Sequence, residues 1–238
     1  MDLSKDLSIC LPAYLEEENL RLLLPRINSV CSELTSNFEI IVIDTEEEMD
    51  GTPQACQETG SIYVNRIGGN TYGAAIRTGI DNAKGKKIVF MDADGSHHPE
   101  FIKKLYHEKD NSDIIIASRY MKGGHTENSP ILILMSKIVN WGFAFVLNIK
   151  CKDVSNSYRL YDGEKLKSVE LKCENFDIVE EVLYKQIKIY KDLKIKEIPF
   201  SFKQRMFGET KRNLFKFIGT YIFTLVRLRF MNVKKKPQ

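Results

Sequence analysis

The sequence predicts an α/β fold built on a mostly parallel β-sheet with helices on both faces. Short apolar runs alternate with segments in which leucine and isoleucine recur at helical spacing. Two of these runs, Phe38–Asp44 and residues 87–92, end in a carboxylate. The length of 238 residues suits one large domain. A content of 43% hydrophobic and 28% charged residues excludes disordered and collagen-like chains.

Strands and helices alternate through the first half of the chain. We expect strands at residues 7–11, 38–44, 61–65, 87–92 and 113–118, and helices at 16–31, from 52, at 72–83 and from 99. The second half is less regular, with helices expected at 131–149, 179–190 and 214–230 and a strand at 195–202. This alternation implies parallel strands covered on both faces. Ligands bind beyond the carboxyl ends of such strands, which is where Asp44, Asp92 and Asp94 lie.

The positive charge is concentrated near the C-terminus. Residues 203–238 contain ten Lys and Arg and one acidic residue, so they carry about +9, against about −6 for the rest of the chain and +3 overall. We therefore divide the chain into one domain, residues 1–212, and a basic amphipathic helix and tail, residues 213–238. The apolar centre of that helix, 217–226, is too short to span a bilayer but suits a membrane interface. The alternative is a helix packed on the core, followed by a solvated lysine tail.

The cysteines and the charge indicate the surroundings of the protein. Five widely spaced cysteines without a CxxC pair indicate reduced thiols in a cytoplasmic protein rather than a disulfide scaffold or a zinc ribbon. No signal peptide is visible near Met1. A membrane surface, a phosphorylated substrate and nucleic acid are the anionic partners to which the basic end could bind.

Asp92-Ala93-Asp94 is the strongest candidate for a metal site. At the end of an extended strand the carboxylates at i and i+2 point to the same side. Paired carboxylates suit Mg²⁺ or Mn²⁺, which prefer oxygen ligands. The adjacent His97 and His98 lack the i, i+4 spacing of a helical zinc site, so we expect them to have structural or supporting roles.

Seven sequence blocks, in order, give the chain a resemblance to a known family. They are LPAYLEEENL (11–20), IIVID (40–44), YGAAIRTGI (72–80), MDADGSHHPEFI (91–102), ASRYMKGG (117–124), DVSNSYRLY (153–161) and EIPFSFKQRMFGETK (197–211). Together they resemble inverting nucleotide-sugar glycosyltransferases of family two, which have the Rossmann-like GT-A fold. The similarity is greatest to the dolichyl-phosphate or polyprenyl-phosphate mannosyltransferase branch. The sequence departs from the family pattern at Leu15, where the usual residue is Asn.

The resemblance implies roles for individual residues. On the donor side these are Pro12, Tyr14 and Glu16 for the base and ribose, Asp44 for the base or ribose, Asp92 and Asp94 with the intervening Ala93 for ribose and metal, and Ser96 beside the metal. Arg119 corresponds to an arginine that faces the sugar or the acceptor phosphate. Arg205 and Lys211 resemble a cationic pair that binds the diphosphate or the acceptor phosphate, because fixed cations stabilise a leaving group that gains negative charge.

The implied reaction moves a sugar from a nucleoside diphosphate to a polyprenyl phosphate, with Mg²⁺ or Mn²⁺ on Asp92 and Asp94. A hydroxyl acceptor would need a general base, for which Asp153, Glu180 and Glu181 are candidates. A lipid phosphate is already ionised and needs none. We take Asp94, Arg119 and Asp153 as the candidate catalytic set.

Two other functions stay open at this point. One is transfer to a glycan hydroxyl in surface polysaccharide assembly, and the other is a non-catalytic nucleotide-sugar-binding partner of a membrane protein. The expected partners are the nucleotide sugar, the acceptor and an anionic membrane surface, with no nucleic acid. The expected location is the cytoplasm, at the inner face of the membrane.

Overall fold

A computed structural model of the protein describes residues 2–204, 206–207, 214–231, 233 and 235–236. The strands are β1 Lys5–Pro12, β2 Phe38–Asp44, β3 Ile62–Asn65, β4 Gly85–Phe90, β5 Ile114–Ser118, β6 His125–Thr126, β7 Arg159–Asp162, β8 Ile195–Pro199 and β9 Ser201–Phe202. The helices are α1 Glu17–Ser32, α2 Thr52–Thr59, α3 Tyr72–Asn82, α4 Phe101–His107, α5 Pro130–Leu147, α6 Gly163–Lys167, α7 Ile178–Ile189 and α8 Leu214–Phe230. The domain boundary predicted at residue 212 lies outside the described residues.

Seven strands form one mixed sheet in the order β3-β2-β1-β4-β7-β5-β8. All neighbours are parallel except β7, which runs antiparallel to both β4 and β5. β6 and β9 form a separate parallel pair. The prediction of a mostly parallel sheet flanked by helices is therefore confirmed.

Side chains alternate between two apolar cores, one on each face of the sheet. In β2, Ile40 and Val42 pack into the core that contains α1, α2 and α4, whereas Ile41 and Ile43 pack into the core that contains α3, α6 and α7. This alternation follows from the two-residue period of a strand and explains why the run is apolar at every position. All five cysteines are buried and unpaired.

Several elements differ from the sequence expectation. β4 ends at Phe90 rather than at Asp92, so the Asp92-Ala93-Asp94 segment lies in the turn beyond the strand. The strand expected at 195–202 is divided between β8 and β9, which belong to different sheets. The antiparallel strand β7 and the short helix α6 have no counterpart in the expected elements.

The two long apolar helices of the second half pack against each other. Phe143 of α5 meets Tyr221 of α8 edge to face, with ring centroids 5.6 Å apart. α5 is long and apolar enough to cross a membrane, with a mean hydropathy of 1.8, and only 17% of it is buried within the protein. The alternative reading had a solvated lysine tail, but Lys236 pairs with Asp81 and Lys235 lies over the Tyr190 ring.

Candidate active site

The candidate site lies beyond the carboxyl ends of three adjacent strands. β1 is flanked by β2 and β4, and its last residue, Pro12, pairs in register with Ile43. Asp44 ends β2, and Asp92 follows the end of β4 by two residues. The topology therefore brings the loop after β1, Asp44 and the Asp92–Asp94 turn to one edge of the sheet, as the sequence predicts.

Asp44 presents an unpaired oxygen in a buried position. Its side chain accepts a hydrogen bond at Oδ2 from the Tyr63 hydroxyl at 3.3 Å. Oδ1 is buried and has no hydrogen-bond partner in the described part of the chain. Burial raises the pKa of Asp44, while the Thr45 backbone N–H, Tyr63 and Arg66 oppose that rise. A buried acceptor without a donor is costly, so this oxygen suits a ligand that brings an N–H or O–H group.

Arg66 ties the donor-side loops together and was missed by the sequence analysis. This buried side chain donates to the backbone carbonyls of Asp44, at 2.8 Å, and of Thr71, at 3.2 Å, and also to that of Ala13. It therefore fixes the ends of β1 and β2 against the start of α3. The only sequence signal was its position directly after β3.

The loop after β1 combines an exposed aromatic with an unusual backbone. The side chain of Tyr14 is 48% exposed, and Pro12 and Glu16 are partly buried beside it. Leu15 has a φ of 57°, in the left-handed region that asparagine tolerates better than leucine. The departure at Leu15 therefore occurs where the backbone favours an asparagine.

The Asp92 carboxylate is held by two hydroxyl groups. Ser157 donates to both carboxylate oxygens, at 3.1 and 3.2 Å, and the Tyr72 hydroxyl lies 3.3 Å from Oδ1. The Asp92 backbone N–H donates to Nδ1 of His97 at 2.9 Å. His97 is buried against Tyr158, and burial lowers its pKa, so the imidazole is neutral and supports the turn as expected.

Ser96 orients Asp94. Its backbone N–H and its hydroxyl both donate to Oδ1 of Asp94, at 3.0 and 2.6 Å. Gly95 between them has a φ of +82°, which a glycine adopts without strain. The Met206 N–H donates to the Asp94 carbonyl at 2.9 Å, so the segment after β9 contacts the same turn.

The two carboxylates fit a magnesium or manganese site of the kind completed by substrate. No group of three or more His, Cys, Asp or Glu side chains arranged for a metal occurs in the described ranges. Mg²⁺, however, is commonly held by one or two carboxylates together with substrate phosphates and water. Asp92 and Asp94, both partly exposed and both held by hydroxyl donors, provide such a donor set. The sequence analysis placed the two carboxylates on one side of an extended strand. That argument does not apply, because Asp92 and Asp94 lie beyond the end of β4.

Arg119 and Asp153 form a buried ion pair rather than two separate catalytic groups. Arg119 donates to the carboxylate from Nε at 2.9 Å, from Nη2 at 2.6 Å and from its backbone N–H at 2.8 Å. The Asp153 side chain is 0% exposed and that of Arg119 is 11% exposed. Asp153 therefore faces Arg119 with both oxygens, which suits a residue that positions the arginine and not one that accepts a proton from substrate.

The other two candidate bases are also buried. Burial raises the pKa of Glu180 to about 8, against the opposing effect of Arg159. Glu181 pairs with Lys185 at 2.7 Å and accepts backbone N–H groups from Lys172 and Cys173. Both carboxylate oxygens of Glu180 are buried, so an acceptor hydroxyl cannot reach them, and Glu181 is committed to structural contacts.

The predicted cations Arg205 and Lys211 lie outside the described residues. The structure brings together Pro12, Tyr14, Glu16, Asp44, Asp92, Ala93, Asp94 and Ser96 at the sheet edge. The sequence analysis missed Tyr72 and Ser157, whose hydroxyls reach Asp92 from α3 and from the loop before β7. Neither carried a signal of its own, although both lie within blocks of the family resemblance.

Comparisons with known proteins agree with this geometry. Residues 8–169 match the profile of Glycosyl transferase family 2. The chain is 34% identical to the dolichol-phosphate mannosyltransferase of Pyrococcus furiosus, over 92% of this chain and 63% of that protein. It is 30% identical to the polyprenol monophosphomannose synthase of Mycolicibacterium smegmatis, over 85% of this chain and 79% of that protein. Glucosyl-3-phosphoglycerate synthase from Mycobacterium tuberculosis, solved with Mn²⁺, uridine diphosphate and phosphoglyceric acid, shares the fold with a TM-score of 0.72 at 17% identity, covering 96% of this chain and 80% of that one.

Proposed function

Because the chain belongs to glycosyl transferase family 2, we propose that it transfers a sugar from a nucleoside-diphosphate sugar to a polyprenyl phosphate, with inversion at the anomeric carbon. The observation that carries this proposal is the 34% identity to a dolichol-phosphate mannosyltransferase over 92% of the chain. A phosphate oxygen of the acceptor attacks the anomeric carbon, and the bond to the diphosphate oxygen breaks. The nucleoside diphosphate leaves with that electron pair.

The donor nucleoside binds at the ends of β1 and β2. The unpaired Oδ1 of Asp44 accepts a hydrogen bond from the base or ribose. Tyr14 is exposed beside it and offers a ring face to the base. Pro12 and Glu16 complete the loop, which Arg66 holds in place through the Ala13 carbonyl.

The diphosphate binds beside Asp92 and Asp94. A divalent cation held there would supply neutralisation of the charge that develops on the leaving group. Ser96 keeps one Asp94 oxygen oriented, so the carboxylate is held in place before the substrate arrives. Arg205 and Lys211 add fixed positive charge in this proposal, and the contact between Met206 and the Asp94 carbonyl supports a role for their segment.

The acceptor is a phosphate rather than a hydroxyl group. A hydroxyl acceptor needs a base within hydrogen-bond reach, and none of the three candidates is available for that role. Asp153 is paired with Arg119, both oxygens of Glu180 are buried, and Glu181 is paired with Lys185. A phosphate monoester arrives already ionised and needs no base. This favours the lipid phosphate over the glycan hydroxyl.

A membrane surface presents this acceptor. Exposed apolar side chains form a stripe along each of the two packed helices: Ile131, Leu134, Ile138, Trp141 and Phe145 on α5, and Ile222, Phe223, Val226 and Phe230 on α8. Trp141 and Phe145, 68% and 73% exposed, stack with ring centroids 5.4 Å apart. Soluble monomers rarely expose such patches, so we place both stripes in the interface at the cytoplasmic face of the membrane.

α5 also reaches the site from its buried side. Asn140 of α5 accepts the backbone N–H of Ser155 at 3.0 Å and donates to the Ser155 hydroxyl at 3.0 Å. Arg119 donates to the same hydroxyl at 3.0 Å. One helix thus links the apolar stripe to the arginine that we place near the acceptor phosphate.

A donor panel tests the transfer. Purified protein with Mn²⁺ and short polyprenyl phosphates is given GDP-, UDP-, dTDP- and CMP-sugars, and labelled lipid product is counted. We expect transfer from one nucleoside-diphosphate sugar and loss of transfer in EDTA. Binding of a nucleotide sugar without any transfer would instead favour the non-catalytic binding partner.

Trp141 is the only tryptophan of the chain, so its fluorescence tests membrane contact directly. Adding vesicles of phosphatidylcholine with phosphatidylglycerol should shift its emission to shorter wavelength and sediment the protein. Phe145→Ser should weaken sedimentation, whereas Leu22→Ser, which removes an exposed apolar side chain on α1, should not. Unchanged emission together with protein left in the supernatant would contradict the membrane assignment.

A further inference from the structure

Tyr72 is the first residue of α3, and its hydroxyl reaches the candidate metal carboxylate Asp92 at 3.3 Å. The phenol O–H donates to this carboxylate, which can only accept. Ser157 approaches the same carboxylate from the loop before β7. Two hydroxyls from different elements therefore define the orientation of the Asp92 carboxylate.

The ring of Phe176 packs against a face of the Tyr72 ring. The two rings are stacked, with centroids 4.3 Å apart and an interplanar angle of 20°. Phe176 belongs to the segment of residues 171–177, between α6 and α7, which we call the strap. The position of the Tyr72 hydroxyl therefore depends on where the strap places Phe176.

The strap is anchored to the start of α3 by several polar contacts. Arg77 donates to both carboxylate oxygens of Glu174 at 2.9 Å and to the Cys173 carbonyl at 2.6 Å. The Gly73 N–H donates to the Glu174 carbonyl at 2.8 Å. A Cβ at Gly73 would lie 2.1 Å from the Cys173 carbonyl oxygen, so this approach requires a glycine.

Two further helices hold the strap. Glu181 of α7 accepts the backbone N–H groups of Lys172 and Cys173. On α8, the Thr224 hydroxyl donates to Asp177, and Arg227 lies 2.6 Å from the Cys173 sulfur. The strap is thus fixed to α3, α7 and α8 at once, and its only aromatic residue is stacked on Tyr72.

We infer that Tyr72 is a positioning residue for Asp92 in donor binding, and that the strap sets its position through Phe176. The inference rests on the proposed function, because it takes Asp92 as a ligand of the metal and the donor. Outer hydrogen bonds of this kind fix the plane of a carboxylate before the metal and diphosphate bind. Without the phenol, Asp92 keeps the Ser157 hydrogen bonds and a longer approach of His97 Nε2 at 3.8 Å, so its Oδ1 is held less firmly before the substrate binds.

Calorimetric titration with Mn²⁺–GDP and Mn²⁺–UDP tests the inference on the full chain, with no need for turnover. Tyr72→Phe keeps the stacked ring and removes the hydroxyl, and should weaken nucleotide binding about tenfold, the loss typical when an outer hydrogen-bond partner of a metal-binding carboxylate is removed. Phe176→Leu should weaken nucleotide binding by a similar factor. Phe176→Tyr should bind as the wild type does, because it keeps an aromatic ring stacked on Tyr72. The control Tyr190→Phe loses a 2.8 Å hydroxyl contact with Ser168, outside this cluster, and should bind as the wild type does.

Thermal unfolding measured on each variant separates positioning from loss of fold. The inference holds if Tyr72→Phe and Phe176→Leu lose affinity while they still unfold cooperatively near the wild-type temperature. Wild-type affinity in Tyr72→Phe would overturn it, and wild-type affinity in Phe176→Leu alone would overturn the role of the strap. Mn²⁺–dTDP is titrated as well, and if the wild-type chain binds none of the three nucleoside diphosphates with Mn²⁺, the proposed function fails and the inference fails with it.

Discussion

Replacing Asp153 with Asn separates a positioning role for this carboxylate from a role as general base. The Asp153 side chain is fully buried and accepts three N–H groups of Arg119, at 2.6 to 2.9 Å. An asparagine amide turns one acceptor into a donor that faces the guanidinium. Removing one partner of a buried pair leaves the other charge uncompensated, at a cost of about 3–5 kcal/mol. For a chain of this length that cost corresponds to a fall in Tm of roughly 6–20 °C.

The exposed pair Arg26–Glu100 provides a matched control. Its geometry is also bidentate, with Nη2 to both carboxylate oxygens at 2.8 and 2.9 Å, but its side chains are 45% and 55% exposed. Glu100→Gln should therefore cost about 0–1 kcal/mol, because water screens the pair. The difference between the two variants isolates the effect of burial.

The assay combines thermal unfolding followed by circular dichroism with transfer rates at 15 °C between pH 6 and 9. We expect Asp153→Asn to have a lowered Tm. We also expect its pH–rate profile to keep the wild-type shape, because the Asp153 carboxylate accepts no proton in the wild-type reaction. A variant with wild-type Tm and a loss of at least about a hundredfold in kcat would refute this reasoning. That result would identify Asp153 as the base and favour a hydroxyl acceptor.

Three further predictions concern the metal, the backbone and a buried acid. Asp94→Asn removes a formal charge from the proposed metal site, so the Mn²⁺ concentration that gives half-maximal transfer should rise at least about tenfold. An unchanged Mn²⁺ concentration would exclude Asp94 as a ligand. Leu15→Asn relieves a left-handed φ of 57° and should stabilise the fold by about 1 kcal/mol in urea unfolding, and a variant no more stable than the wild type would contradict this reasoning. Glu180 has a pKa of about 8 in the fold against an ordinary 4.5, so its contribution to stability is present below pH 4.5 and is lost as pH rises to 8. Glu180→Gln should therefore gain Tm relative to the wild type between pH 5 and pH 9, and parallel curves would contradict the assigned pKa.

Three strands of the parallel half, β1, β2 and β4, could be predicted because each contains a buried and mostly apolar run, whereas β3 is partly exposed. Burial on both faces leaves that pattern, and the carboxylates that end the runs mark the ligand edge. β7 could not be predicted in the same way, since Arg159–Asp162 is four residues long and pairs with strands that are distant in sequence. Its antiparallel insertion is decided by tertiary contacts and not by local pattern.

The candidate site was predictable for residues whose chemistry shows in the sequence. Asp92 and Asp94 were found from carboxylates after a strand, whereas Arg66 and Tyr72 act on groups many residues away. Hydropathy alone could not show that α5 is mostly exposed, because a core helix and an interface helix have the same composition. The small buried fraction of α5 in the structure, 17%, distinguishes the two.

Acceptor discrimination tests the central claim most directly. A polyprenyl phosphate and the matching polyprenol, each of the same chain length, are offered together with the active nucleotide sugar and Mn²⁺, and the glycosylated products are separated and counted. The account predicts that only the phosphate is glycosylated, with the product anomer inverted relative to the donor when measured by NMR. Glycosylation of the free polyprenol at a comparable rate would contradict it, because that reaction requires a general base which Asp153, Glu180 and Glu181 do not provide.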